Sequence, residues 1–392
     1  MHSLNEILAS LPAARTAAEE LRDPMLANLV LLGETPAPTG QEQARVALLL
    51  ERFAEAGLEG GGTDEQGNGS AVLPGLDNRR TILLTAPADT AGPADMDQSL
   101  EIEPGRVVGP FVADNSLALA ALATLPLLLE RLKIRLRSRV VFLAAVRCMG
   151  RGNLEGLKFF LAHGPLPVQV GLCLEGVQLG RMNYACLGML RGEIVCRLPE
   201  SYNWAQYGAT GTIIPMTDVI TRLNGIPLPR RPLSSLVLGA IRGGFSYNTI
   251  APSTKLQFEV RSESADILRD VRARIEAIAQ DVAAQAGVRV AVEFLAARDP
   301  GGLSAADPLV AGARSILGAL GLQPMAYLTT SAMSAFVDRG IPALTLGVTR
   351  GERRGTAEEF DEAADIGGMA IGLAQLAGML QLMDLEAADE SR

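Results

Sequence analysis

Four apolar runs in this chain end on residues able to do chemistry. Asp89 follows TILLT, Asp114 and Asn115 stand in GPFVADNS, Cys148 and Met149 follow RVVFLAAV, and Glu175 follows VGLCL. Carboxylates serve as general acid, general base or metal ligand, and a thiol serves as nucleophile. Histidine usually completes such a set, and the chain has two, His2 and His163. His2 is terminal. His163, in FFLAHGPLP, ends a helical run, where capping or solvent exposure is expected. Zinc prefers imidazole and thiolate donors gathered in one place, so neither histidine is expected to serve it. Cys148 has no evident base beside it and is expected to be an inert buried thiol rather than a nucleophile. Each other group has a local structural use as well. Asp89 suits a turn, Asp114 and Asn115 suit a helix N-cap, Glu175 closes a strand, and Met149 packs.

These residues need elements to position them. Ser3–Glu34 reads as helix, and Thr39–Gly57 as a second helix with Ala44, Ala47, Leu48, Phe53 and Ala54 on its apolar face. TILLT, RVVFLAAV and QVGLCL are apolar on both faces, which implies a mainly parallel sheet covered by helices on both sides. Such a sheet holds its site at the carboxyl ends of its strands. From about Gly188 the pattern changes to MLRGEIVCRL, a helix Ile214–Leu223, SLVLGAI, TKLQFEVRS, a helix Ala265–Ala286 and VRVAVEFL. That βαββαβ order predicts a ferredoxin-like α+β insertion. After Pro300 the first style returns. The expected fold is therefore an α/β domain over 1–187 and 296–392, interrupted by an inserted domain over 188–295.

PTGQE (Pro38–Glu42), DEQGNG (Asp64–Gly69), VADNSLALAAL, SYNTIAPSTKLQFEVRS and DRGIPALTLGV occur in that order. Together they resemble the cytosolic dinuclear-zinc aminoacylases and carboxypeptidases, a family that includes peptidase T, carboxypeptidase G and succinyl-diaminopimelate desuccinylase. The resemblance spans nearly the whole chain. It implies a zinc-peptidase-like domain, an inserted lid that pairs two copies into a homodimer, and a pair of zinc ions. The residues here depart from that last implication. The family's H-x-D falls on Pro87-Ala88-Asp89, and its bridging aspartate on Asp114. Its paired glutamates fall on Cys148 and Met149, and its next acidic ligand on Glu175. The lid histidine falls on Tyr202-Asn203-Trp204 and the final histidine on Gly355. Pro87, Met149 and Gly355 are thus degenerate metal positions, and Asp114 and Glu175 the retained ones.

The expectation is a protein without metal or other cofactor, binding a small amino-acid- or peptide-like carboxylate non-catalytically. The candidate binding residues are Asp89, Asp114, Asn115, Glu175, Asn203, Asn248 and Arg261, the last as a two-pronged carboxylate anchor. The alternative is a metal-independent hydrolase of an amide or N-acyl amino acid using Cys148, Asp89 or Glu175. A carboxylate-only manganese or magnesium site is a third reading. Arg147, Arg151 and RGERRG (Arg350–Gly355) offer positive charge that would compensate clustered acids or hold an anion. A net charge of −9 argues against nucleic acid as partner. The amphipathic start, the lack of an unbroken apolar span and four cysteines without a CxxC pair lead to an expectation of a cytoplasmic protein with no membrane contact.

Overall fold

The strand Thr81–Pro87 pairs in parallel with Arg139–Ala145 on one side and Val170–Val177 on the other, and Val170–Val177 pairs in parallel with Ala343–Thr349. All four are buried along nearly their whole length, which is why each reads as a continuous apolar run. They form the middle of a seven-stranded sheet. Its order is Glu59–Thr63, Gly69–Leu73, Arg139–Ala145, Thr81–Pro87, Val170–Val177, Ala343–Thr349, Met182–Asn183, with antiparallel pairs at both flanks.

The computed structural model describes residues 3–78, 80–199, 211–353 and 361–389. The chain divides into two compact units, 1–185 with 302–392 and 186–301. In the larger unit, Ile82, Leu84 and Ala86 share a core with Phe142, Leu172 and Leu346, and with the helices Leu4–Glu19, Leu117–Arg131 and Ile366–Asp389. A second small sheet, of order Gly351–Arg353, Asp361–Asp365, Arg106–Pro110, Glu101–Glu103, was not legible in the sequence.

The smaller unit is a four-stranded antiparallel sheet of order Ser234–Gly243, Ser253–Ser262, Gly188–Arg197, Arg289–Arg298. Its core joins Ile194, Leu256, Phe258 and Val260 to Met216, Val219 and Leu223 of helix Ile213–Asn224 and to Leu268, Val271 and Ile275 of helix Ala265–Ala286. The long helix begins where Ser264 Oγ accepts the Ile267 N–H. The strict alternation of TKLQFEVRS is kept, with Leu256, Phe258 and Val260 buried and Gln257 exposed. The mixed α/β class with an inserted α+β unit is as the sequence implies.

Three expectations need correction. The helix expected over Ser3–Glu34 is two helices, Leu4–Glu19 and Arg22–Gly33, because the chain leaves helical geometry at Leu21 (φ −96°, ψ 13°). In helix Gln43–Glu55 the buried face is Arg45, Val46, Leu49 and Phe53, while Ala44, Ala47 and Ala54 are exposed. Lastly, helical segments Val112–Arg131 and Ile366–Leu385 are long and apolar enough to cross a membrane, but 89% and 83% of their most apolar stretches are buried inside the protein. Their apolar surface goes into the core of the larger unit.

Candidate functional site

Asp89 lies just beyond the strand Thr81–Pro87 and is fully buried. Its Oδ2 accepts the Thr39 hydroxyl at 2.8 Å and the Met149 N–H at 2.8 Å, while Oδ1 has no hydrogen-bond partner among the described residues. Asn115 Nδ2 donates to the Asp89 carbonyl at 2.6 Å and lies 3.7 Å from the Met149 thioether. Three of the sequence-derived positions therefore meet at one point. At Met149 it is the backbone that meets the acid.

PTGQE acts as a clamp on these strand ends. Pro38 bridges to Thr90, and the Thr90 N–H donates to the Ala37 carbonyl at 2.7 Å. Glu42 Oε1 accepts the N–H groups of Gly40 (2.9 Å) and Arg147 (2.8 Å). DEQGNG holds the same segment from the other side. Asn68 Oδ1 accepts the Val146 N–H at 3.0 Å, its Nδ2 donates to Asp64 and to the Gly156 carbonyl, and Gln66 accepts from Arg147 Nη1. Arg147 itself sits at φ 52°, a left-handed conformation that a non-glycine residue holds only when its surroundings over-determine it.

Behind Asp89 is Arg45, which the sequence reading passed over. Its guanidinium is fully buried and donates to the carbonyls of Thr35, Gly33 and Ala88 and to the Ser116 hydroxyl. Burial lowers the Arg45 pKa to about 10, against the opposing pull of the Asp89 charge. Burial likewise raises the Asp89 pKa above the ordinary value. The Met149 N–H and Thr39 hydroxyl pull it back, and the charge of Glu42 adds to the rise.

A folded-state pKa above the unfolded value makes Asp89 ionisation unfavourable to the fold. The resulting loss of stability sets in as pH rises from near 3.8 through the raised value, and is constant above it. Asp89→Asn should therefore flatten the decline in stability across that window. Urea midpoints measured from pH 3 to pH 7 check this, and an unchanged slope would contradict the assigned burial effect.

Asp114 lies in a π-helical turn, Val112–Ser116, that follows Phe111 in the left-handed region (φ 56°), and its own backbone is non-helical (φ −109°, ψ −126°). Neither it nor Asn115 caps the following helix, whose N-cap position is Ser116. Glu362 Oε2 accepts the Ala113 N–H at 3.0 Å and ties this turn to the strand Asp361–Asp365. Gly176 lets the turn approach Val170–Val177, since a Cβ there would stand 2.1 Å from the Ala113 carbonyl and 2.4 Å from that of Asp114. Glu175, the neighbour of Gly176, is ion-paired with Arg181 at 3.2 Å.

Pro87 ends its strand opposite Ala145. Cys148 is buried, with Sγ 3.3 Å and 3.7 Å from the carbonyls of Ala145 and Val146, as expected of a thiol in the core. His163 is exposed at the end of helix Glu155–His163, its ring 4.8 Å from that of Phe159. His2, Asn203 and Gly355 lie outside the described residues. In the smaller unit, Asn248 lies in an exposed turn and accepts the Ser246 hydroxyl at 3.1 Å. Arg261 is engaged by Glu259 at 2.5 Å. Burial pushes Glu259 up, but Arg191 and Arg261 outweigh it and hold that carboxyl below its usual range. Arg261 is thus a member of a cross-strand charge ladder. Among the described residues no three His, Cys, Asp or Glu side chains are grouped so as to hold a metal ion.

Residues 193–287 match the peptidase dimerisation domain of the M20 family. No curated protein sequence matches the chain. A tripeptidase from Staphylococcus aureus superposes with a TM-score of 0.74 at 17% identity, covering 93% of this chain and 98% of that one. A dipeptidase from Saccharomyces cerevisiae gives 0.77 at 13% identity, covering 96% and 98%. Human carnosine dipeptidase 1 gives 0.73 at 11% identity, covering 96% and 99%. At these identities the likeness is one of fold: the chain has the architecture of these peptidases, with a peptidase dimerisation domain inserted in it.

Proposed function

We propose that this protein is a non-catalytic homologue of zinc-dependent peptidases and aminoacylases. In this reading it binds a small amino-acid- or peptide-like carboxylate at the strand ends of its larger unit. It works without a metal in the cytoplasm, as a homodimer joined through the inserted domain. The observation that carries the reading is the ion pair of Glu175 with Arg181. An acid at a metal-ligand position of the family resemblance is here neutralised by a guanidinium of the same chain.

The rest of the site supports the same reading. Pro87 offers no donor, Asp89 is engaged by Thr39 and the Met149 backbone, and Met149 supplies a thioether where the resemblance calls for a carboxylate. These residues do not fit a pair of zinc ions, which need several charged or imidazole donors in one place. The clamps around Arg147 and the left-handed Phe111 and Arg147 are consistent with a retained binding surface, because strained backbone concentrates at such places. Free buried cysteines suit a reducing compartment.

The test joins metal content, hydrolysis and binding. Natively purified protein should hold no stoichiometric zinc, cobalt or manganese, and chelator should leave its melting temperature unchanged, since a bound metal stabilises by mass action. Calorimetry with N-acetyl amino acids and dipeptides should show binding with no hydrolysis on prolonged incubation. A chelator-induced fall in melting temperature would sink the metal-free reading, and steady hydrolysis after chelation would establish the metal-independent hydrolase instead.

A further inference from the structure

The geometry points to Arg181 as the anchor for the ligand's carboxylate, with Glu175 as an internal stand-in that the ligand displaces. This rests on the ligand-binding reading above and moves the anchor from Arg261, which Glu259 engages within the smaller unit.

Arg181 follows the turn at Gly180, whose φ of 95° is readily adopted only by glycine. The turn is closed by the Arg181 N–H donating to the Gln178 carbonyl at 3.0 Å. On its other side the Met182 N–H donates to the Met325 carbonyl at 2.9 Å, and Arg181 itself bridges to Met325. The backbone that carries the guanidinium is therefore fixed at both ends, so little ordering is required when a ligand arrives. The turn brings Arg181 back to the carboxyl end of Val170–Val177, the sheet end at which parallel α/β proteins hold ligands.

The guanidinium is under-used. Its one side-chain hydrogen bond among the described residues runs from Nη1 to Glu175 Oε2, at 3.2 Å. Nε is buried and has no acceptor among the described residues. Arginine's planar fork suits a carboxylate held by parallel bonds, and a single long contact leaves most of that capacity unspent. The pair is also reachable, with 18% of the Arg181 side chain and 23% of the Glu175 side chain exposed. A purely structural ion pair of this burial would be expected to use more of its donors. Arg45 in the same unit shows the contrast, with its Nε and both terminal nitrogens donating to protein.

The experiment is calorimetric titration with N-acetyl-L-leucine, glycyl-L-leucine and N-acetyl-L-leucine amide. Wild type should prefer the acids to the amide. Arg181→Ala should weaken the acids by about ten- to a hundredfold, the scale of a charge-assisted contact, and leave the amide unchanged. Arg181→Lys retains the ion pair with Glu175 and so guards against a folding artefact; it should lose part of the preference. Glu175→Gln should tighten the acids, by up to about tenfold, because the internal competitor is neutral. If wild type binds the acids and both Arg181 variants bind them as tightly, the anchor assignment is overturned and the binding reading stands. If wild type binds none of the probes at millimolar concentration, both fall.

Discussion

Arg45→Met should cost about 3–5 kcal/mol of folding stability, the range seen when one partner of a buried charged group is removed. The guanidinium is fully buried and holds the carbonyls of Thr35, Gly33 and Ala88, so its loss leaves several buried acceptors unpaired at once. Each buried acceptor left without a donor is costly by itself, at about 1–3 kcal/mol. The charge of Asp89 favours the charged form of Arg45, so the two groups are coupled across the strand ends. Adding Asp89→Asn should recover part of the loss, because the double variant has no orphaned charge. Urea denaturation of the wild type, both single variants and the double variant measures the coupling. A loss below 1 kcal/mol for Arg45→Met would show that Arg45 is not the keystone of these strand ends. The effect belongs to stability, and through it to the placement of Thr39, Asp89 and Asn115.

What was legible in the sequence follows from how strongly each feature is written locally. Parallel strands covered on both faces must be apolar at every position, so TILLT and RVVFLAAV announce themselves. The candidate residues at their ends follow from that, and Asp89, Asn115 and Met149 do meet. Helix Ala265–Ala286 is bounded by a serine cap and a glycine, and its limits were readable to the residue. Helix Gln43–Glu55 was readable as a helix but not in its phase. Alanines and bulky residues form two overlapping apolar series along it, and burial follows the bulky one. Arg45 lies on that buried face, where a lone arginine in a charged helix gives no sign of being in the core.

Arg181 was hidden for a different reason. It is six residues from Glu175, a spacing that matches neither helical neighbours nor strand pairing. Only the turn at Gly180 brings the two together, and turn geometry is weakly encoded at the level of residue types. Arg261 shows the converse. Its strand position put it on the polar face, as expected, but a pleat pattern says nothing about which neighbour answers the charge. The register of Gly188–Arg197 against Ser253–Ser262 sets Arg191 opposite Glu259, and Arg261 completes that ladder. The charges beside the strand-end acids can be traced in part. Arg147 pairs with Glu155 and Gln66, while Arg45 and Arg181 attend the two strand-end acids.

Ile214→Asp combined with Ile241→Lys should convert the proposed homodimer to monomer, weakening self-association by about a hundredfold or more. Strand Ser234–Gly243 is an edge of the smaller unit's sheet, and an open edge is a template for pairing with a second copy. Ile241 pairs in register with the core residue Leu256, so it points to the helix-bearing side, yet it is 55% exposed. Ile214, in the first turn of Ile213–Asn224, is 59% exposed. The start of that helix is tied to the same end of the sheet. The Thr212 hydroxyl lies 2.7 Å from that of Thr254, and Thr254 pairs with Gly243, two residues beyond Ile241. Exposed isoleucines beside an edge unpaired among the described residues form the apolar centre an isologous contact needs, and residues 193–287 match a peptidase dimerisation domain. Both side chains face solvent in the protomer, so the substitutions should change the protomer's own stability by no more than about 0.5 kcal/mol. Sedimentation velocity across a concentration series reads the association directly. The wild-type melting temperature should rise with protein concentration while that of the variant stays fixed. A wild type that sediments as a monomer at micromolar concentration, or a variant that stays dimeric, would remove this edge from the assembly.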